Sequence, residues 1–233
     1  MIIRSAFFYI TLIFWTVFMG IICIPYLLLP SNFLSKPTKV WIKGIFILLE
    51  RICNVTHEII GLNNLPNEPV IIVSKHQSAF ETFALFYYIK NSFFIHKKEL
   101  YYIPVFGQYL YKSNMVAINR KQKSSAMRKM LNNVKKKLQH GSSIIIFPEG
   151  TRKLPGELPD YKPGFIGIYN ITKRKIIPIA LNSGLFWTKN SWIIKKGHIK
   201  IKILPIIPTN LNKDEVYNLV KKNIEEASNK LLI

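Results

Sequence analysis

The sequence predicts an α/β fold: a mostly parallel mixed sheet flanked by helices, with an N-terminal membrane-associated helical segment. Three observations predict it. Short continuous apolar runs bounded by turn residues, such as Val70–Ser74 (VIIVS), Met115–Ile118 (MVAI) and Ser143–Phe147 (SIIIF), match strands buried on both faces of a parallel sheet. Between them lie stretches with apolar residues three or four apart, the helical period. Ahead of them all, no charged residue occurs between Ser5 and Ser35.

The core of that first segment is Ala6–Leu29. It meets the length of about 20 apolar residues that crosses a bilayer as a helix. No small-residue cleavage site marks it as a secretory signal. Pro25 and Pro30 interrupt its carboxyl end, where helix hydrogen bonds are hard to keep. Lys36, Lys39 and Lys43 follow it, against Arg4 and the terminal amine before it. That bias places the remainder of the chain on the cytoplasmic face of the cell membrane. Val40–Val55 carries Lys43, Glu50 and Arg51 and reads as an amphipathic helix at the interface. The two segments either span once and then lie flat, or dip into one leaflet as a hairpin. A buried pair of core helices is the alternative; soluble core helices rarely run so long without charge. Residues 1–55 are therefore expected to anchor the chain, and residues 56–233 to form one α/β domain.

Within that domain, Thr56–Gly61 reads as a strand and Leu62–Pro69 as a turn. After the strand at Val70–Ser74, Phe80–Ile89 reads as a helix and Phe93–His96 as a short strand. Lys97–Leu110 mixes aromatics with Pro104 and Gly107 and takes no assignment. Met115–Ile118 is a strand. Ser124–Gln139 is a helix with Met127, Met130, Leu131, Val134 and Leu138 on one face and lysines on the other. Ser143–Phe147 is a strand and Gly164–Thr172 a helix. Ile176–Leu181 and Ile199–Leu204 are strands, and Asp214–Leu232 is a final amphipathic helix. Strands alternating with helices give the mostly parallel sheet.

The composition narrows the function classes. The chain has 233 residues, of which 49% are hydrophobic, which excludes a disordered basic tail. Its 33 Lys and Arg against 12 Asp and Glu give a net charge of +21, which predicts attraction to polyanions. No basic recognition helix or base-stacking motif accompanies that charge, so nucleic acid is not an expected partner. Cys23 and Cys53 make neither a disulfide framework nor a four-cysteine zinc site, and a reducing compartment follows. His57, His96, His140 and His198 fall in no metal-binding pattern, so no metal is expected. There is no Gly-x-Ser-x-Gly elbow and no Gly-x-x-x-x-Gly-Lys-Ser/Thr loop, against a serine hydrolase and a P-loop ATPase.

In α/β sheets, ligands collect just past the carboxyl ends of the strands. Three such loops are unusually polar here: Ser74–Glu81 (SKHQSAFE), Asn119–Lys121 (NRK) and Pro148–Arg152 (PEGTR). Imidazole is suited to take a proton near neutral pH, and a carboxylate improves it by fixing the tautomer. His76 and Glu81 are five apart, which puts them on different faces of a continuous helix. They converge only if His76 sits in a strand-to-helix turn and Glu81 in the first helical turn. In Glu149-Gly150-Thr151-Arg152, glycine lets backbone amides approach a ligand, threonine supplies a hydroxyl and arginine forks onto phosphate oxygens. Arg120 adds a second cation from the neighbouring loop. Taken singly, each motif has a plainer reading: an accidental pair, a helix-dipole carboxylate, a surface ion pair.

Together they are specific. Phe147–Arg152 (FPEGTR), downstream of His-x-x-x-x-acid with strand-Asn119-Arg120 between, resembles the 1-acylglycerol-3-phosphate acyltransferase (lysophosphatidic acid acyltransferase) family. Lys97–Gly107 (KKELYYIPVFG) and Ile177–Gly184 (IPIALNSG) are similar to two further blocks of that family, so four ordered blocks span Val70–Gly184. The apolar amino-terminal segment also fits a family whose members sit on or in membranes. One residue departs from it: Glu81 stands where the family pattern usually has Asp, keeping the charge and adding one methylene.

The resemblance implies a chemistry. His76, oriented by Glu81, deprotonates the free hydroxyl of a lysophosphatidic acid. That oxygen attacks the thioester of acyl-CoA or acyl carrier protein, giving phosphatidic acid and a thiol. Arg120, Glu149, Gly150, Thr151 and Arg152 hold the glycerophosphate end, and Pro178 shapes the acyl or thioester site. No cofactor is implied beyond the thioester co-substrate. The partners are a phospholipid membrane, lysophosphatidic acid, and acyl-CoA or acyl carrier protein. The alternatives are another lysophospholipid or a lyso-aminolipid as acceptor, or a catalytically silent lipid-binding relative.

Overall fold

The computed structural model describes residues 1–113, 115–119 and 123–232, with the backbone alone for residues 123–126. Seven strands are found among them: β1 (Val55–Ile60), β2 (Ile71–Ser74), β3 (Ser92–Lys97), β4 (Val116–Ile118), β5 (Ser143–Ile146), β6 (Ile176–Leu181) and β7 (Gly197–Ile203). They form one sheet in the order β1-β7-β6-β2-β5-β3-β4. From β6 to β4 all neighbours are parallel. β7 runs antiparallel to β6, and β1 pairs parallel with β7, so this edge runs the other way. The expected mostly parallel mixed sheet is the one observed.

The helices are α1 (Ile2–Ile22), α2 (Ser35–Cys53), α3 (Phe80–Tyr88), α4 (Phe106–Lys112), α5 (Lys123–Gln139), α6 (Gly164–Thr172) and α7 (Lys213–Lys230). α4 lies in the stretch the sequence pattern left unassigned. It opens at Val105, whose φ of 64° and ψ of −59°, with Phe106 N–H donating to the Pro104 carbonyl at 2.7 Å, make a γ-turn.

Strand alternation divides the core between two faces. Ile72, Ile145, Ile177, Ile199 and Ile201 pack with α2 and α3 through Ile42, Ile45, Leu49, Phe80 and Ala84. Ile71, Val73, Ile144 and Ile176 face the other way, onto Val134 and Leu138 of α5, Phe165 and Tyr169 of α6, and Val216, Val220 and Ile224 of α7. Apart from Ser74 and Ser143 at strand ends, β2, β5 and β6 are thus apolar throughout because both faces are covered.

α1 is long and apolar enough to cross a membrane, judged by length and composition. One seam of it docks on the rest of the chain. Ser5 Oγ accepts from Ile194 N–H at 2.9 Å, Phe8 is fully buried against Trp187, and Trp15 Nε1 donates to the Trp41 carbonyl at 2.9 Å. Nearer its end, the Tyr109 hydroxyl of α4 donates to the Gly20 carbonyl. Ile3, Phe7, Ile10, Phe14, Phe18 and Ile21 on the opposite side are exposed. α2 lays its own apolar face on the sheet and ends at Asn54, its left-handed C-cap. Beyond α1, Trp187 is buried and Trp192 exposed.

Candidate active site

β6, β2 and β5 lie side by side and parallel, so the loops past their carboxyl ends meet at one edge. From β2 comes the turn Lys75–Ala79, from β5 the loop Pro148–Lys153, and from β6 the segment Asn182–Gly184. β2 is only four residues long and the next helix starts at Phe80. The chain therefore reverses within a short turn, and His76 and Glu81 are brought together across it.

His76 Nδ1 is 2.9 Å from Glu81 Oε1. The same oxygen accepts the Gln77 and Ser78 backbone N–H groups, each at 2.7 Å. Glu81 Oε2 accepts the Ser183 hydroxyl at 2.7 Å. The carboxylate is fully buried, and these donors replace its hydration. Because Oε1 is already an acceptor twice over, Nδ1 carries the proton in this pair, which leaves Nε2 with a lone pair. The imidazole stacks on Phe147, ring centroids 4.0 Å apart and 15° between planes, and Phe147 stacks on Phe94 in turn. The ring is held by a carboxylate at one nitrogen and an aromatic plane on one face. Its other nitrogen can take a proton from a hydroxyl.

The loop after β5 is fastened to the same residue. His76 N–H donates to Glu149 Oε1 at 3.1 Å, and Lys153 N–H donates to the His76 carbonyl at 2.8 Å. Gly150 adopts φ +65°, the left-handed region in which glycine carries no steric cost. Thr151 and Arg152 are exposed just ahead of the Lys153 contact. Lys189 Nζ donates to the Arg152 carbonyl, which ties the segment after β6 to this loop. Gln77 adds a tie of its own, its Oε1 accepting Gly184 N–H at 3.1 Å.

Not every expected residue stands where the motif suggested. Glu149 was expected among the anion-holding groups. It is 2% exposed and directed under the turn at the His76 amide, and a carboxylate has no proton to offer an anion. Its role in the geometry is to brace. Burial pushes its carboxyl above the usual range, while Lys75 and the His76 amide pull it back. Pro178 lies mid-strand in β6, paired with Val73 of β2, and its carbonyl accepts Leu204 N–H at 2.9 Å. Arg120 lies outside the described residues; β4, which precedes it, is two strands from β5. The other histidines are elsewhere: His57 Nε2 meets the Tyr88 hydroxyl at 2.8 Å, and His198 Nδ1 meets Thr56 Oγ1 at 2.7 Å.

Sequence reasoning missed Ser183, Gln77, Phe147 and Lys75 as parts of this site. Ser183 follows a strand next to β2 in space, and that adjacency is what turns a hydroxyl after a strand into a brace. Phe147 ends the strand before the glycine loop, where an aromatic reads as core.

The family model described as Acyltransferase matches residues 56–182. The chain is 33% identical over 165 residues to the 1-acyl-sn-glycerol-3-phosphate acyltransferase of Pseudomonas aeruginosa, covering 71% of this chain and 64% of that protein. It is 28% identical over 173 residues to a Chlamydomonas reinhardtii protein of the same name and 33% identical over 154 residues to one from Cocos nucifera. Those two alignments cover 72% and 65% of this chain, and 52% and 50% of the relatives. The chain thus spans between half and two thirds of the length of these relatives. Among solved structures, the 1-acyl-sn-glycerophosphate acyltransferase PlsC of Thermotoga maritima superposes with a TM-score of 0.81 at 23% identity, covering 99% of this chain and 95% of that one. That likeness is one of fold.

Proposed function

The chain belongs to the acyltransferase family, and from that premise we propose that it moves a fatty acyl group from acyl-CoA or acyl carrier protein to the free hydroxyl of 1-acylglycerol-3-phosphate, giving phosphatidic acid. The observation that carries the reading is the His76–Glu81 pair, with Nδ1 occupied, Nε2 open, and the Gly150 loop tied to both backbone ends of the same histidine.

The steps follow from that geometry. Nε2 removes the hydroxyl proton as the oxygen attacks the thioester carbonyl. The imidazolium that forms is stabilised by Glu81, whose charge is already neutralised in part by the donors from Gln77, Ser78 and Ser183. The tetrahedral adduct collapses, the C–S bond breaks, and Nε2 returns the proton to the departing sulfur. Nothing becomes covalently attached to the protein. The Thr151 hydroxyl and the guanidinium groups of Arg152 and Arg120 are assigned to the phosphate, with Gly150, whose N–H donates to the Phe147 carbonyl, turning the loop that presents them; a forked guanidinium suits the phosphate oxygens.

The docked seam of α1 supports attachment within one leaflet. Contacts from Ser5 to Gly20 run along 15 residues, about 23 Å of helix. A helix bound along that length to a domain rich in lysine lies in the interface with its outer apolar face in the lipid. The acceptor, itself a membrane lipid, then reaches the site without leaving the bilayer surface.

The test is acyl transfer by the detergent-solubilised protein with a panel of lyso-acceptors and acyl donors. His76→Ala is expected to lose at least about a hundredfold in kcat, the lower end of what a general base contributes. Near-parental turnover would refute the assignment. Arg152→Ala is expected to raise the acceptor KM chiefly; an unchanged acceptor response removes it from the phosphate site. A lyso-aminolipid turned over faster than lysophosphatidic acid would replace the proposed acceptor.

A further inference from the structure

Lys75 is a lysine buried to 2% exposure, one residue ahead of the base, and the chemistry above does not use it. Its Nζ donates to both carboxylate oxygens of Glu225, at 2.7 and 2.9 Å. It also lies 3.6 Å from Glu149 Oε1, the oxygen that accepts the His76 N–H. Glu225 comes from α7, at the far end of the chain. Its Oε1 accepts the Tyr161 hydroxyl at 2.7 Å, and the Tyr217 hydroxyl of α7 donates to the Tyr161 carbonyl at 3.0 Å. Burial and the neighbouring Glu225 push the Tyr161 phenol far above its usual range, so it remains a donor. A line of contacts therefore runs from Glu225 through Lys75 and Glu149 to the backbone of His76.

Stability does not account for this arrangement, because a buried ion pair seldom recovers the cost of desolvating both charges. Its placement does. Two short bonds to Glu225 hold Nζ within attraction of Glu149 Oε1 but beyond hydrogen-bond distance, so that oxygen stays available to the His76 N–H. Without the Glu225 charge, the nearest carboxylate to Nζ is Glu149, and the ammonium competes with the amide for Oε1. Without Lys75, Glu149 is buried with no countercharge, and its Oε2 already has no hydrogen-bond partner among the described residues.

We propose that Glu225 and Lys75 are positioning residues: the α7 carboxylate parks the lysine so that Glu149 stays directed at His76 N–H, which registers the base-bearing turn against the glycine loop. The proposal rests on the role given to His76 above. It makes the carboxyl-terminal helix a working part of a site it does not touch.

The decisive variant is the double substitution Lys75→Met with Glu225→Met. Either single change leaves Lys75 or Glu225 without its partner, whereas the pair removes both and nearly keeps the volume; what the pair still costs is the countercharge of Glu149 and the acceptor of the Tyr161 hydroxyl. Three readings are taken: the thermal midpoint, amide hydrogen exchange of segments 74–82 and 147–153, and kcat and KM with lysophosphatidic acid. The midpoint is expected to fall, because Glu149 loses its countercharge, while exchange, read well below the melting range, quickens in those two segments more than in the rest of the sheet. kcat is expected to fall about tenfold with the acceptor KM within about twofold, as for a displaced base rather than a lost binding contact. Adding Glu149→Gln is expected to cost less than about a further twofold, because residues acting as one unit are not additive. Parental exchange and kcat in the folded double variant overturn the proposal, as does a full additive loss with Glu149→Gln. If the double variant does not fold, Glu225→Gln, which keeps shape and loses charge, is taken through the same readings below its melting range, with the same outcomes deciding. A parent protein that transfers no acyl group removes the reading of His76, while the exchange data still decide whether the pair registers the two loops.

Discussion

The residue that departs from the family pattern, Glu81, is the best-satisfied side chain of the site. It gathers His76 Nδ1, two backbone amides and the Ser183 hydroxyl. The added methylene is accommodated by letting the carboxylate reach back to the amides of Gln77 and Ser78, so the dyad closes with ordinary distances. Ser183→Ala removes one of these donors and is expected to lower kcat by about tenfold, with Ser183→Thr recovering part of the loss; steady-state kinetics measure both. Glu149 makes a prediction about pH. Its carboxyl is held above the usual range by burial, so the folded state binds that proton more tightly than the unfolded one. Such a group costs stability while ionised, and the cost disappears as pH falls below the ordinary carboxylate value. Glu149→Gln is therefore expected to gain stability over the parent near pH 7 and to lose that advantage at about pH 4. Denaturant midpoints at the two pH values check it, and a gap that widens toward acid contradicts it.

At the scale of elements, helix ends and helix contacts carry separable energies. α7 begins with a capping box: Asn212 Oδ1 accepts from Asp214 N–H and Glu215 N–H at 3.0 Å, and Glu215 Oε2 accepts Asn212 N–H at 2.9 Å. Asn212→Ala should cost about 1 kcal/mol, which in a chain of this size lowers the midpoint by about 2–4 °C. α1 meets α2 at Gly44, where a Cβ would lie 2.3 Å from the Trp15 ring. Gly44→Val should push Trp15 aside and break its bond to the Trp41 carbonyl. A red-shifted tryptophan emission with little change in the sheet's hydrogen exchange is the expected signature. The elements also show how far pattern reading reaches. The strands at Ile176–Leu181 and the helix at Gly164–Thr172 fall where apolar runs and helical spacing place them. α4 was illegible because it is only seven residues long and rich in aromatics, and it starts from a γ-turn at Val105, whose side chain packs at Gly20 of α1.

At the scale of the molecule, α1 leaves an apolar face open and the chain carries a net charge of +21. Binding to vesicles containing anionic lipid is expected to exceed binding to neutral ones and to weaken with salt. Phe14→Lys with Phe18→Lys, both on the exposed side, should abolish flotation with vesicles of either kind while leaving the fold intact by circular dichroism. Retained flotation would mean that the outer face of α1 is not the attachment surface.

Order along the chain was enough to announce an α/β sheet, a polar loop after each central strand, and the histidine and acid that belong together. These are local properties: apolar periodicity and the chemistry of neighbouring side chains are written in consecutive residues. Which loops become neighbours was decided by strand order, since β6, β2 and β5 are distant in sequence and adjacent in space. Ser183 beneath Glu81, Glu149 beneath His76 and Glu225 against Lys75 are consequences of that order. On a lysine-rich amphipathic helix Glu225 carries no mark of its own, because a side chain's partner across 150 positions is set by packing and not by its neighbours in the chain.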